Sequence, residues 1–354
     1  SPTRGLHHGF FYRKNRHMTE RVSFAAVQHL GFAWFAMVMG LCGLSLAWWR
    51  AVPHWGPVAL QVSLVVGVLA GLVFVALIGL KLWRWLHFPE ALLEDACHPL
   101  RHVFVATLPS SLVLLPTVWV AHHGYSLWAD RVWMLGAVGL LLGTVGVIWR
   151  WLQPGMTAEH FWRGMTPALF IPVVGNVLPA LAGVPLGHPV WAAAQYGVAI
   201  FLWPIALVLV LARIGMVGMW PTRMLPTTFI TMAPPSVLAL SGHQLGAPDT
   251  VLHMLWGVSL FFTLVSLTVL KRCLQQPFGM PFWGMSFPLA ASAALSLHLA
   301  PTQGSIHALA LVWLVLITCF IGGLVLATVR GLFQGRLLTA EAPVSSLQST
   351  ADGP

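Results

Sequence analysis

The sequence predicts an all-α integral membrane protein of ten transmembrane helices, arranged as five helical hairpins. Three observations lead there. Of 354 residues, 58% are hydrophobic and only 8% charged, against roughly 25% charged in a soluble domain. Ten apolar segments reach the length of about 20 residues that a bilayer core requires. The odd-numbered segments also carry prolines that most of their even-numbered neighbours lack.

Segment 1 (24–49) follows about 20 polar and basic residues and outruns a signal-peptide core, which marks it as a retained span. It has no proline but holds Gly40 and Gly43 in "VMGLCG". Segment 2 (57–83) is plain, as "LQVSLVVGVLAGLVFVALIGL" illustrates. Segment 3 (101–121) contains Pro109, in "TLPSS", and Pro116, whereas segment 4 (131–150) has none. Segment 5 (166–184) places Pro172 and Pro179 around Asn176 in "IPVVGNVLP". Segment 6 (188–212) is the even exception, with Pro204. Segment 7 (225–243) has Pro234 and Pro235 in "MAPPS", and segment 8 (250–270) has none. Segment 9 (281–300) carries Pro288 in "SFPLAAS", and segment 10 (305–329) is again free of proline.

A proline inside a helix removes a backbone bond and clashes one turn back. In lipid the freed carbonyls need a partner, so broken helices belong where they face protein or a water-filled path. Five kinked helices inside, lining a central pore, and five plain ones outside satisfy that demand. Small polar residues concentrate on the odd segments, among them Ser110, Asn176, Thr231, Ser286 and Ser292. Asn176, Thr231 and Ser286 are therefore candidate pore-lining groups, and Pro288 is a candidate hinge beside Phe287. No Asp, Glu, Lys or Arg lies deep within a segment. Ion-coupled pumps keep such groups, whereas an uncharged pore with positive helix ends suits a weakly held anion.

Charge then orients the chain. Basic residues gather in the N-terminal arm, in every second connection and in the tail, 16 in all, and only Arg50 and Arg131 fall on the opposite side. The positive-inside rule places both termini in the cytoplasm. Residues 1–22 form a cytoplasmic arm, 23–333 the ten-helix domain and 334–354 a disordered cytoplasmic tail. The net charge of +9 is thus topology signal, and no nucleic-acid partner is needed to explain it.

Four cysteines stand far apart with no metal-ligand spacing. Histidines such as His29, His243 and His298 occur singly near segment ends, not as facing pairs within spans. Hydrolase and nucleotide-binding motifs are missing. The sequence therefore predicts no enzyme, no cofactor and no metal.

The stretches "FAMVMGLCGLSLAWW", "HPLRHVFVATLPSS", "TPALFIPVVGNVLP", "MLPTTFITMAPPS", "DTVLHMLWG" and "FWGMSFPLAAS" follow in an order and spacing that resembles a known family. It is the tellurite-resistance protein (TehA) and C4-dicarboxylate transporter family, which includes the slow anion channels of plant guard cells. The resemblance implies a homotrimer with one pore per subunit, gated by a phenylalanine on segment 9 that corresponds to Phe287. It implies that Gly40, Pro109, Pro172 and Pro234 stack around that ring as pore-lining kinks. The function implied is an anion channel of the bacterial inner membrane passing small inorganic or organic anions. The alternative is a secondary carrier for C4-dicarboxylates, sulfite or tellurite-type oxyanions.

Overall fold

The protein is described by a computed structural model that covers residues 27–90, 102–300 and 305–338. The arm of 1–22, Cys97, Arg101 and the tail from 339 lie outside the described residues. Among the described residues the regular elements are all helices. Eight are long and apolar enough to cross a membrane, and a pair bent by 78°, Ala158–Gly164 with Pro167–Gly183, makes up to nine. The tenth expected span is the short one. Its α-helix, Ser286–Leu299, has 14 residues.

The odd-numbered segments are built alike, and what they share is not a mid-helix break, although Pro116 lies inside its α-helix. Each begins as a 3₁₀ turn and changes to α-helix partway. The 3₁₀ stretches Phe32–Phe35, His102–Ala106, Pro167–Leu169, Thr222–Met232 and Met280–Met285 lead into α1 (Ala36–Arg50), α3 (Thr107–His123), α6 (Phe170–Val174), α9 (Ala233–Gln244) and α11 (Ser286–Leu299). Pro109, Pro172, Pro235 and Pro288 are each the third residue of their α segment. A proline ring clashes with the carbonyl four residues back only if that stretch is α, so the preceding turn winds as 3₁₀. The expected kinks are therefore changes of pitch in the first helical turn, where a missing N–H costs least. α1 makes the same change without a proline, after the extended Gly31.

Four of the remaining helices run unbroken: α4 (Leu127–Trp151), α8 (Pro189–Val217), α10 (Asp249–Leu274) and α12 (Ser305–Phe333). α2 (Val52–His87) is interrupted once, at Gly56, whose φ of 55° needs a residue without a side chain. Pro57 then restarts the helix with its fixed φ. Two short pieces remain, α5 (Ala158–Gly164) and α7 (Ala180–Gly183).

Packing sorts the helices. α1, α3, α6 with α7, α9 and α11 touch in that order, and α11 returns to α1, closing a circle. Each longer helix lies outside, against its sequence partner and the next inner helix: α2 on α1 and α3, α4 on α3 and α6, α8 on α6 and α9, α10 on α9 and α11, α12 on α11 and α1. Burial agrees, at 56–94% of residues in the spans holding α1, α3 and α9 and 17–33% in the outer five. Long apolar rows such as Val65, Val68, Leu72 and Val75 on α2 remain uncovered. Soluble surfaces do not tolerate apolar faces of that extent; here they meet lipid.

α1 and α11 run parallel, because Gly40 meets Ser286, Gly43 meets Phe287 and Ala290, and Arg50 meets His298. α11 and its 3₁₀ turn are also tied outward by indole hydrogen bonds. Trp283 Nε1 donates to Thr328 at 2.8 Å, Trp313 Nε1 to Ser292 at 3.0 Å and Trp256 Nε1 to Ser296 at 3.0 Å. Those bonds lie on both sides of Phe287 in sequence.

Candidate functional site

Inside the circle lie two cavities. One, of about 60 Å³, sits where the 3₁₀ turns become α-helix and is lined by groups including Ala36, Phe170, Ile230, Pro234, Trp283 and Pro288. The other, of about 220 Å³, lies toward the C-terminal ends of the inner helices, against Gly43, Arg50, Thr117, Leu240, Gln244 and Ala294. Phe287 and Val237 line both. The phenyl ring and the valine thus form the partition. Phe287 is only half-buried, although its neighbours Ser286 and Pro288 are buried. The ring rests on Gly43, where an added Cβ would stand 3.1 Å from Phe287 Cδ2. Among the lining residues of the two cavities Arg50 alone is charged.

The other predicted site residues divide. Pro234 and Pro288 line the smaller cavity. Gly40, expected to stack on Phe287, instead meets Ser286, and it lies within regular α1 without bending it. Pro109 turns outward to α4, where a Cβ on Gly136 would be 2.8 Å from its carbonyl oxygen and one on Gly139 2.9 Å from its Cβ. Pro172 offers its carbonyl to Thr144 of α4 at 2.6 Å. Asn176 also faces away from the cavities. Its amide donates to Thr144 Oγ1, and its Oδ1 accepts from Gln195 of α8 at 2.9 Å.

The hydroxyls face the backbone. Ser286 donates to the Trp283 carbonyl at 2.6 Å, Thr231 to that of Thr228 at 2.8 Å, and Thr107 to those of Phe32 and Phe104 at 2.6 Å. Ser110 and Ser236, each directly after a proline, donate to the Ala106 and Met232 carbonyls. A 3₁₀-to-α junction at proline leaves carbonyls short of donors, and buried acceptors need them. These hydroxyls thus satisfy carbonyls at the junctions, while Ser110 also borders the smaller cavity and Thr117 the larger.

The Asn176 network predicts a stability effect. Thr144→Val removes both the acceptor for Asn176 and the donor to Pro172 in a buried site. Two orphaned polar groups cost about 1–3 kcal/mol each. The variant will melt several degrees below wild type in detergent, read by tryptophan fluorescence; an unchanged midpoint would show the network to be dispensable.

Sequence reasoning missed Gly43, Val237 and Arg50 as lining groups. The first had a signal, since Gly40 and Gly43 are three apart and share a helix face. Nor do His243 and His298 stand alone. Their rings pack at 4.3 Å.

Comparison with known proteins gives the lineage. Residues 29–329 match the SLAC1 family, described as voltage-dependent anion channel. The chain is 26% identical to a tellurite resistance protein TehA homolog of Haemophilus influenzae, over 86% of this chain and 91% of that protein. It is 26% identical to an uncharacterized transporter of Methanocaldococcus jannaschii, over 75% and 82% of the two chains. It is 22% identical to the S-type anion channel SLAH4 of Arabidopsis thaliana, over 77% and 74%. The chain belongs to the SLAC1 voltage-dependent anion channel family, whose members are multi-pass membrane channels or transporters of anions and not enzymes.

Proposed function

We propose that the protein is an anion channel in which small anions cross the circle of inner helices and Phe287 is the barrier. One observation carries this reading: Phe287 lines the cavity on either side of it. An apolar ring across an uncharged constriction excludes ions by volume and by dewetting. Pro288 fixes the first turn of α11 beside it, and Pro234 walls the same cavity.

Ten spans as five hairpins support the path. α11 with its 3₁₀ turn, Met280–Leu299 together, measures about 33 Å from the rise of each helix type, enough for a hydrocarbon core of about 30 Å. Of the twelve Lys and Arg among the described residues, ten lie at the end where the inner helices begin, and Arg50 and Arg131 at the other. The positive-inside rule puts that basic end, the arm of 1–22 and the tail from 334 in the cytoplasm of a bacterial inner membrane. Three subunits, each with its own path, are the assembly that the family resemblance implies.

Liposome flux tests the function. Vesicles holding Phe287→Ala should pass chloride and nitrate down a gradient without saturation and without a proton requirement. Saturable uptake of a C4-dicarboxylate that needs a pH gradient would replace the channel with a coupled carrier.

A further inference from the structure

Arg50 and Arg131 share the end of the molecule that the other ten cations avoid, but the fold treats them differently. Arg131 is exposed and lies 4.0 Å from Asp130. Arg50 ends α1, is partly buried and lines the 220 Å³ cavity. It forms no salt bridge among the described residues. Its Nη1 donates to His298 Nδ1 at 3.2 Å, and its guanidinium lies 5.3 Å from the Trp49 ring.

A guanidinium can only donate, so His298 accepts at Nδ1, carries its proton on Nε2 and is neutral. His298 packs on His243 from α9. Asp249, at the start of α10, makes no ion pair with Arg50 among the described residues. α1, α9 and α11 thus bring a guanidinium and two imidazoles together, with the Arg50 charge outside any ion pair among the described residues and beside a cavity. Of the five N–H groups of that guanidinium, one meets a side-chain acceptor.

We propose that Arg50, steadied by His298 and sharing the cavity wall with Gln244, binds a small inorganic anion such as a halide or nitrate in this chamber. The site rests on reading the two cavities as one anion path. At about 30 Å³ per water, the chamber holds such an ion with part of its hydration. The bound ion would wait there on the side of Phe287 away from the basic end. A guanidinium stays charged at any working pH, so the site would always be poised.

Chloride-35 NMR on the purified protein in detergent tests the site independently of conduction. Wild type and Arg50→Lys should broaden the chloride line in a manner that nitrate reverses. Arg50→Gln, checked for folding by its elution and melting, should lose at least about half of that reversible broadening. In a Phe287→Ala background, Arg50→Gln should lower chloride conductance about threefold at about 20 mM salt. The two should converge at about 1 M, where the Debye length is about 3 Å. Reversible broadening unchanged in Arg50→Gln would overturn the site even if Phe287→Ala conducts. A folded Phe287→Ala that does not conduct would overturn Phe287 as the sole barrier and leave the NMR result to decide the site.

Discussion

Phe287→Ala will carry at least about tenfold more chloride than wild type across a planar bilayer, a change of about 1.4 kcal/mol in the barrier. The ring and Val237 are the shared wall of the two cavities. Cutting Phe287 to a methyl group leaves Val237 as the remaining obstruction and joins chambers of about 60 and 220 Å³. The variant should still fold. Deleting a core phenylalanine costs about 3–5 kcal/mol, but this ring already borders open space, so it loses fewer contacts. Phe287→Leu should lie between alanine and wild type. A folded Phe287→Ala with wild-type current would move the barrier elsewhere, to Val237 first.

The second large effect concerns Gly40. A Cβ there would stand 2.6 Å from Ser286 Cβ and closer still to Ser286 Oγ. Both helices are held: α1 by the circle of inner helices and α11 by its indole bonds. Overpacking in such a place costs about 1–3 kcal/mol and sometimes more. Gly40→Ala should melt well below wild type, and Gly40→Val should yield no monodisperse protein on size exclusion. Ser286→Gly removes the opposing atoms, so Gly40→Ala with Ser286→Gly should recover much of the loss. Failure of that rescue would place the strain at another neighbour.

Much of the architecture was legible because lipid imposes a crude rule: long apolar runs become helices, and the Pro-rich ones take the inside. Composition does not show where a side chain points. Asn176, Thr231 and Ser286 were legible as polar groups in apolar helices, yet their bonds run to α4, to α8 and to their own backbone. Pro109 and Pro172 likewise lie against α4. The junction from 3₁₀ to α leaves no sequence mark where proline is missing, as α1 demonstrates. Phe287 was identified by its family likeness, since 19 phenylalanines offer no other way to choose. Arg50 carried the plainest unread signal, a cation on the wrong side of the charge pattern.

The indole bonds to Thr328, Ser292 and Ser296 bear on time as well as shape. They fasten the backbone before and after Phe287 to α10 and α12, so a swing of the whole helix would break several bonds at once. With the ring as the barrier, the moving part is then a single side chain turning about its own χ angles. Side-chain rotations belong to the fast end of protein motion, far from the microseconds to milliseconds of hinged domains. Current through such a door would flicker faster than an amplifier resolves, with a small activation enthalpy, and a recording would register a smooth, reduced conductance instead of discrete steps.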